Sequence, residues 1–191
     1  QQETDFLRGY ASNLTASRMV TSNKELVGES LKNSLLGQKL GNWHINVGMM
    51  GETIPKAHST VRLDGQMKDK YGIPQLRVAV AYDENDEKML KDFHQQFTEM
   101  YAAAGFTNIQ PIDTKRLPGN ENHEMGGVRM GKDPKTSMLN AFNQMHHCKN
   151  VFVTDGSCMT STSTQNPSLT YMALTARAVD YAVKEKKRLN L

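Results

Sequence analysis

Residues 76–105, LRVAVAYDENDEKMLKDFHQQFTEMYAAAG, change their hydrophobic period part-way along, and that change decides the fold class. Leu76, Val78 and Val80 alternate with Arg77, Ala79 and Ala81, which is the two-residue period of a strand with one buried face. Asp83, Glu84, Asn85 and Asp86 then supply capping oxygens and negative charge. Beyond them Met89, Leu90, Phe93, Phe97, Met100, Tyr101 and Ala104 recur at helical spacing. Gly105 stands where a left-handed C-terminal cap is favoured, so the spacing predicts a helix over 84–104.

Upstream, Ile45, Val47 and Met49 alternate with His44, Asn46 and Gly48, and residues 58–64 alternate through Val61 and Leu63. Gly65, Gly72 and Pro74 punctuate, so three strands with short connections are expected before the helix. The fold class is therefore α+β: a mostly antiparallel sheet covered by a long helix. Residues 1–41 are polar and weakly patterned, and are expected to continue an upstream domain. Residues 42–118 hold the sheet and helix, and residues 119–144 form a Gly-rich loop region suited to close backbone approach. Residues 145–191 hold a short strand, Asn150 to Thr154, and a last helix. Asn166 is its expected N-cap and Pro167 its first residue, with Leu169, Met172, Ala173, Ala176, Val179 and Val183 as its apolar face.

A chain of 191 residues has room for one or two domains. Its 23 Lys and Arg against 20 Asp and Glu leave a net charge of +3, too dilute for the concentrated basic face that nucleic acid requires. Lys184, Lys186, Lys187 and Arg188 suit the negative end of a helix dipole. No stretch approaches the roughly 20 apolar residues of a membrane span. Two cysteines, Cys148 and Cys158, cannot build a disulfide framework and leave the redox compartment open.

His123 lies in NHEMGGVRMG, residues 122–131, with glycines on a turn beside it. Histidine side chains titrate near neutrality and can act as general bases, although a single loop histidine is more often structural. Asn166 sits where a helix N-terminus presents free N–H groups to electron-rich ligands, although an Asn-Pro helix start also occurs without a ligand. His146, His147 and Cys148 are adjacent, but neighbours in an extended segment point to opposite faces and no second pair stands at finger spacing. No metal site is expected. His44, His58 and His94 read as structural. No Gly-x-Gly-x-x-Gly, phosphate-binding loop or Gly-x-Ser-x-Gly elbow is present, so most of the grip on any nucleotide cofactor must come from residues outside this sequence.

NHEMGGVRMGKDPKTS (122–137), followed by KNVFVTDGSCMTSTSTQNPSLTYMALTARAVDYAV (149–183), resembles the C-terminal end of the glucose-methanol-choline (GMC) family of flavin-dependent oxidoreductases. The ordered elements are a His before Arg-Met-Gly, a strand ending in Asp-Gly and an Asn-Pro helix start. They cover residues 119–186. Residues 42–110 are similar, through looser motifs, to the substrate-domain sheet and helix of the gluconate and sugar dehydrogenase branch.

The resemblance implies oxidation of a substrate CH–OH group with FAD as cofactor. His123 aligns with the base that takes the hydroxyl proton, and Asn166 with the second member of the catalytic pair. Asp155 and Gly156 would lie beside the cofactor's phosphate and ribityl region, with Asn166, Pro167 and Ser168 toward the ring. The strand and helix of residues 145–191 would belong to a Rossmann-like FAD domain whose larger part is missing, making the chain a C-terminal fragment. The implied partners are a polyol, sugar, sugar-acid or glycoside substrate, the missing N-terminal FAD-binding part, and an electron acceptor: oxygen, a quinone or a haem subunit. A periplasmic location follows by the same analogy. A second reading is a non-catalytic carbohydrate-binding or interaction module that reuses the sheet and has no need of His123.

Overall fold

The computed structural model describes residues 3–18, 25–37, 41–163 and 165–191, which form two small antiparallel sheets and three helices. The chain divides into two units, Tyr10–Met50, and Gln1–Gly9 with Gly51–Leu191, and each is described by itself.

In the shorter unit, strand β1 (Tyr10–Arg18) pairs with β2 (Trp43–Gly51), and helix α1 (Gly28–Leu36) lies between them in sequence. β2 is the strand expected from Trp43. β1 and α1 were not predicted, and the reason is chemical. YASNLTASR places polar groups on both faces of β1, and α1 has no capping side-chain hydrogen bond and buries no residue. The Arg18 guanidinium lies 5.6 Å from the centroid of the Trp43 ring and donates to the Gly41 carbonyl at 3.1 Å, fastening one end of the ribbon.

In the longer unit, β3 (Thr60–Lys68) and β4 (Pro74–Ala79) form an antiparallel hairpin, with Val61 opposite Val78, Arg62 opposite Arg77 and Leu63 opposite Leu76. The sheet expected as three consecutive strands is thus two separate pairs, because β2 takes β1 as its partner. Alternation fixes which face each residue occupies but not which strand it pairs with. Val61, Leu63, Leu76 and Val78 remain 56 to 68% exposed.

Helix α2 (Glu84–Ala103) matches its expected bounds, and Gly105 takes φ +83 just past its end. Asp83 accepts from the backbone N–H groups of Asn85 and Asp86, while the Asp86 carboxylate accepts from Asp83 N at 3.0 Å, a reciprocal capping box. The Lys56 ammonium stands 3.0 Å from Asp83 and 2.8 Å from Asp86, with its side chain only 9% exposed. α2 buries Met89 and Phe93, and Phe93 continues through Phe97 and Tyr101 into Phe106 as a chain of ring contacts at 4.5, 6.1 and 5.4 Å.

The cap carries a pH signature. The Lys56 hydrogen bond, more than any other cause, holds the Asp83 carboxyl below its ordinary range. Burial works to lower the Lys56 pKa, but its bonds to Asp86 and Asp83 outweigh burial and raise it. A depressed carboxyl stabilises the fold above its unfolded pKa, and that share is lost as the pH falls through the folded value; a raised lysine loses its share only as the pH rises through its own, on the alkaline side. Between neutrality and the acid range the cap therefore weakens on acidification. Asp83→Ala is expected to lower the melting temperature by a few degrees at pH 7 and to flatten the decline toward pH 3, measured by thermal melts across that range.

The C-terminal part winds around a small core of Leu139, Asn143, Cys158 and Ala178, each at 0 or 1% exposure. The strand expected over Asn150 to Thr154 narrows to an isolated bridge between Gln144 and Phe152. Helix α3 (Ser168–Lys187) turns Tyr171, Thr175, Ala178 and Tyr181 inward, with the Tyr181 ring stacked on Phe142 at 4.2 Å and set edge-on to Phe152. The apolar face read from the sequence is the other one: Leu169, Met172, Val179 and Val183 are 47 to 79% exposed. The helix carries two apolar stripes, and the described residues of this chain cover only one of them.

Candidate functional site

The Gly-rich segment is fixed by the backbone beside it. Val128 N donates to Ser157 O at 3.1 Å and Met130 N to Cys158 O at 3.0 Å, so residues 128–130 run along residues 157–158. Met130 also bridges to Leu139, and Gly131 N donates to Leu139 O at 2.8 Å. These bonds bring residues 124–126 against the short 3₁₀ turn Gly156–Cys158 and the first turns of α3. The Tyr171 hydroxyl donates to Met125 Sδ at 3.7 Å across that junction. Burial, and after it the Cys158, Asp155 and Glu124 side chains, push the Tyr171 phenol up, so it remains a donor.

Gly156 is required at the centre of this contact. A Cβ there would stand 2.8 Å from Glu124 O and 2.9 Å from the Tyr171 hydroxyl. Gly126 and Gly127 take φ +87 and +90, which turn the loop away after the contact. Asp155 accepts from Ser157 N at 2.9 Å and also from the Ser157 hydroxyl, capping the 3₁₀ turn.

His123 is half-buried and Asn166 is exposed, and neither side chain makes a hydrogen bond or ion pair among the described residues. The residue after His123, Glu124, is the one whose carbonyl closes on Gly156. Asn166 is not the N-cap. That position belongs to Pro167, at φ −88 and ψ 3, and Ser168 is the first helical residue. Pro167 is buried while Asn166 and Ser168 face solvent. No side chain caps α3, and its first intrahelical bond in the chain direction is Tyr171 N to Pro167 O at 3.0 Å, so the N–H groups of Ser168 to Thr170 precede the ladder and have no partner within it. The first three N–H groups of α3 are thereby available to a hydrogen-bond acceptor from outside the helix.

Two arrangements were not legible beforehand. Asn143, fully buried with φ +62, donates its amide to Val153 O at 2.9 Å and accepts from Arg177 at 3.3 Å, which ties α3 to the segment that leads into Asp155. Asparagine is one of the few residues that tolerate the left-handed region, the only hint the sequence offers. Burial pushes the Cys158 thiol up against the opposing hydrogen bond with Asn143, so Cys158 is a packed thiol and not a nucleophile. His146 lies with Nε2 at 3.2 Å from both Gly131 O and Ser137 Oγ. A carbonyl can only accept, so Nε2 carries the proton and cannot take one from Ser137, and the Ser-His pair is a structural clamp. Among the described residues, no three His, Cys, Asp or Glu gather as a metal site, and no helix is long and apolar enough to cross a membrane.

The comparisons with known proteins bear on these same residues. A match to the GMC oxidoreductase family spans residues 55–175. The 2-methyl-1,2-propanediol dehydrogenase of Mycolicibacterium austroafricanum is 37% identical over 145 residues, 75% of this chain and 26% of that protein. The fructose dehydrogenase large subunit of Gluconobacter japonicus is 27% identical over 98% of this chain and 35% of its own length. The gluconate 2-dehydrogenase flavoprotein of Pantoea cypripedii is 30% identical over 70% of this chain and 23% of its own length. The chain thus spans roughly a quarter to a third of the relatives it matches. The family match takes in the β3–β4 hairpin, α2, the His123 loop, the Gly156 junction and the start of α3, and on that extent the chain belongs to the GMC oxidoreductase family.

Proposed function

We propose that this chain supplies the substrate-side wall and the proton acceptor of an FAD-dependent oxidoreductase that oxidises a CH–OH group of a sugar, sugar acid or related alcohol. The observation that carries the reading is the junction at Gly156. It holds Glu124, the residue after His123, against the 3₁₀ turn with the Tyr171 hydroxyl of α3 beside it, while the His123 ring keeps both nitrogens free of protein partners among the described residues. When bound, FAD would supply the hydride acceptor. The chain's own residues do the rest: His123 takes the hydroxyl proton, and the Asn166 amide holds the substrate oxygen. Asp155, Gly156, Pro167 and Ser168 would hold the cofactor, and the uncapped start of α3 would favour negative charge on it.

The exposed stripe of α3 supports a further part of the reading. Leu169, Met172, Val179 and Val183 suit burial against a cofactor domain outside these 191 residues. The chain is then the C-terminal portion of a longer enzyme. A relative that is itself a large subunit supports a partner subunit.

The test uses both lengths of polypeptide. Purified alone, the 191-residue chain is expected to carry no flavin absorbance, whereas the intact polypeptide retains FAD and is bleached anaerobically by a sugar, sugar acid or small diol. Stoichiometric flavin on the isolated chain would overturn the fragment assignment. Intact protein that stays oxidised with every such donor would overturn the redox assignment.

A further inference from the structure

Arg62 and Arg77 are directly opposed across β3 and β4, on the face away from Val61, Val78, Leu63 and Leu76. Directly opposed side chains have Cβ atoms about 5 Å apart, and like charges at that spacing destabilise a hairpin. Neither guanidinium makes a hydrogen bond or an ion pair among the described residues. The Asp64 carboxylate lies on the same face and feels Arg77, but Asp64 Oδ1 accepts from Gln66 N at 2.8 Å and Met67 N at 2.9 Å. It shapes the end of β3 and offsets part of the Arg77 charge, but it makes no ion pair with either arginine.

The two arginines border one open surface hollow of about 400 Å³, and Thr60 and Ala79 complete its edge. Thr60 stands opposite Ala79, so a hydroxyl is offered on one side and a small methyl leaves room on the other. Two planar guanidinium forks with an adjacent hydroxyl match an oxyanion, which each fork can bind through paired N–H bonds.

We propose that Arg62 and Arg77, with Thr60, form a binding site for a small oxyanion of the carboxylate or phosphate class. The site relieves the like-charge opposition of the hairpin when filled, and it stands independently of the redox reading. Neither the cofactor junction nor any residue assigned to the CH–OH chemistry takes part in it.

Arginine modification by phenylglyoxal, read by peptide mass spectrometry on the intact protein, tests this without any activity assay. Inorganic phosphate and sodium gluconate are the two probes, each balanced with sodium chloride to constant ionic strength. Mass action slows modification of an occupied site about ten-fold when the anion is near ten times its Kd. That slowing is expected at Arg62 and Arg77 but not at Arg188, with at least one of the two anions. Protection by phosphate alone or gluconate alone identifies the class. In Arg77→Gln, protection of Arg62 is expected to fall to the level of Arg188. Equal slowing at all three arginines, or none with either anion, would overturn the site.

Discussion

Replacing His123 with alanine in the intact, flavin-loaded protein is expected to lower kcat/KM by about 10²- to 10⁴-fold, the usual contribution of a general base. The loss should fall mainly on kcat, because proton removal from the hydroxyl takes place in the transition state and not on binding. Flavin absorbance and melting temperature should barely move. The ring is half-buried and bonds to nothing within the described chain, so its removal breaks no structural hydrogen bond. Asn166→Ala, by contrast, should raise KM as well, since an amide that holds the substrate oxygen acts in the ground state too. Stopped-flow reduction of the flavin separates the two variants. A His123→Ala protein that reduces its flavin at the parental rate would remove His123 from the proton step.

How much of this could be read in the residues differs between the elements. α2 was legible because three signals agree: acidic caps before residue 84, helical spacing through Tyr101, and Gly105. The strands β2, β3 and β4 were legible as strands but not in their pairing, since alternation carries no information about the partner. α3 was legible as a helix, but the face it turns toward the rest of this chain was not. Leu169, Met172, Val179 and Val183 are more apolar than Tyr171, Thr175 and Ala178, so composition marks the stripe that stays exposed here and not the one that packs inward.

The functional region shows the same division. Asp155, Gly156, Asn166 and Pro167 were picked out through the family resemblance, but the contact between Gly156 and the His123 loop was invisible. It runs through the Glu124 carbonyl and the Tyr171 hydroxyl, a backbone atom and a side chain in no motif. Asn143 escaped for a related reason. Its role depends on being fully buried, and a polar residue gives no sign of burial until its partners, Val153 O and Arg177, are known.

Gly156→Ala is expected to damage both stability and turnover, and it tests the junction more directly than any change to a polar side chain. The added methyl would meet Glu124 O at 2.8 Å, Tyr171 Oη at 2.9 Å and Met125 Sδ at 3.5 Å. Met125 can bend away, but a carbonyl in the backbone cannot move without moving His123 beside it. Overpacking of this kind costs about 1 to 3 kcal/mol. Turnover should fall further than stability, because displacement of a catalytic group by about 1 Å can cost about 10²-fold in rate. Gly48→Ala supplies the control, since nothing lies within 4 Å of a Cβ at that position in β2. Tyr171→Phe, placed on top of Gly156→Ala, removes one of the two hard contacts and leaves the carbonyl. Partial recovery of the melting temperature is therefore expected, with less recovery of rate, because the residue adjoining His123 is still pushed aside. Thermal melts and steady-state rates of the single and double variants measure the coupling. Gly156→Ala with unchanged melting and unchanged turnover would show that the His123 loop and the 3₁₀ turn do not meet as closely as 2.8 Å implies.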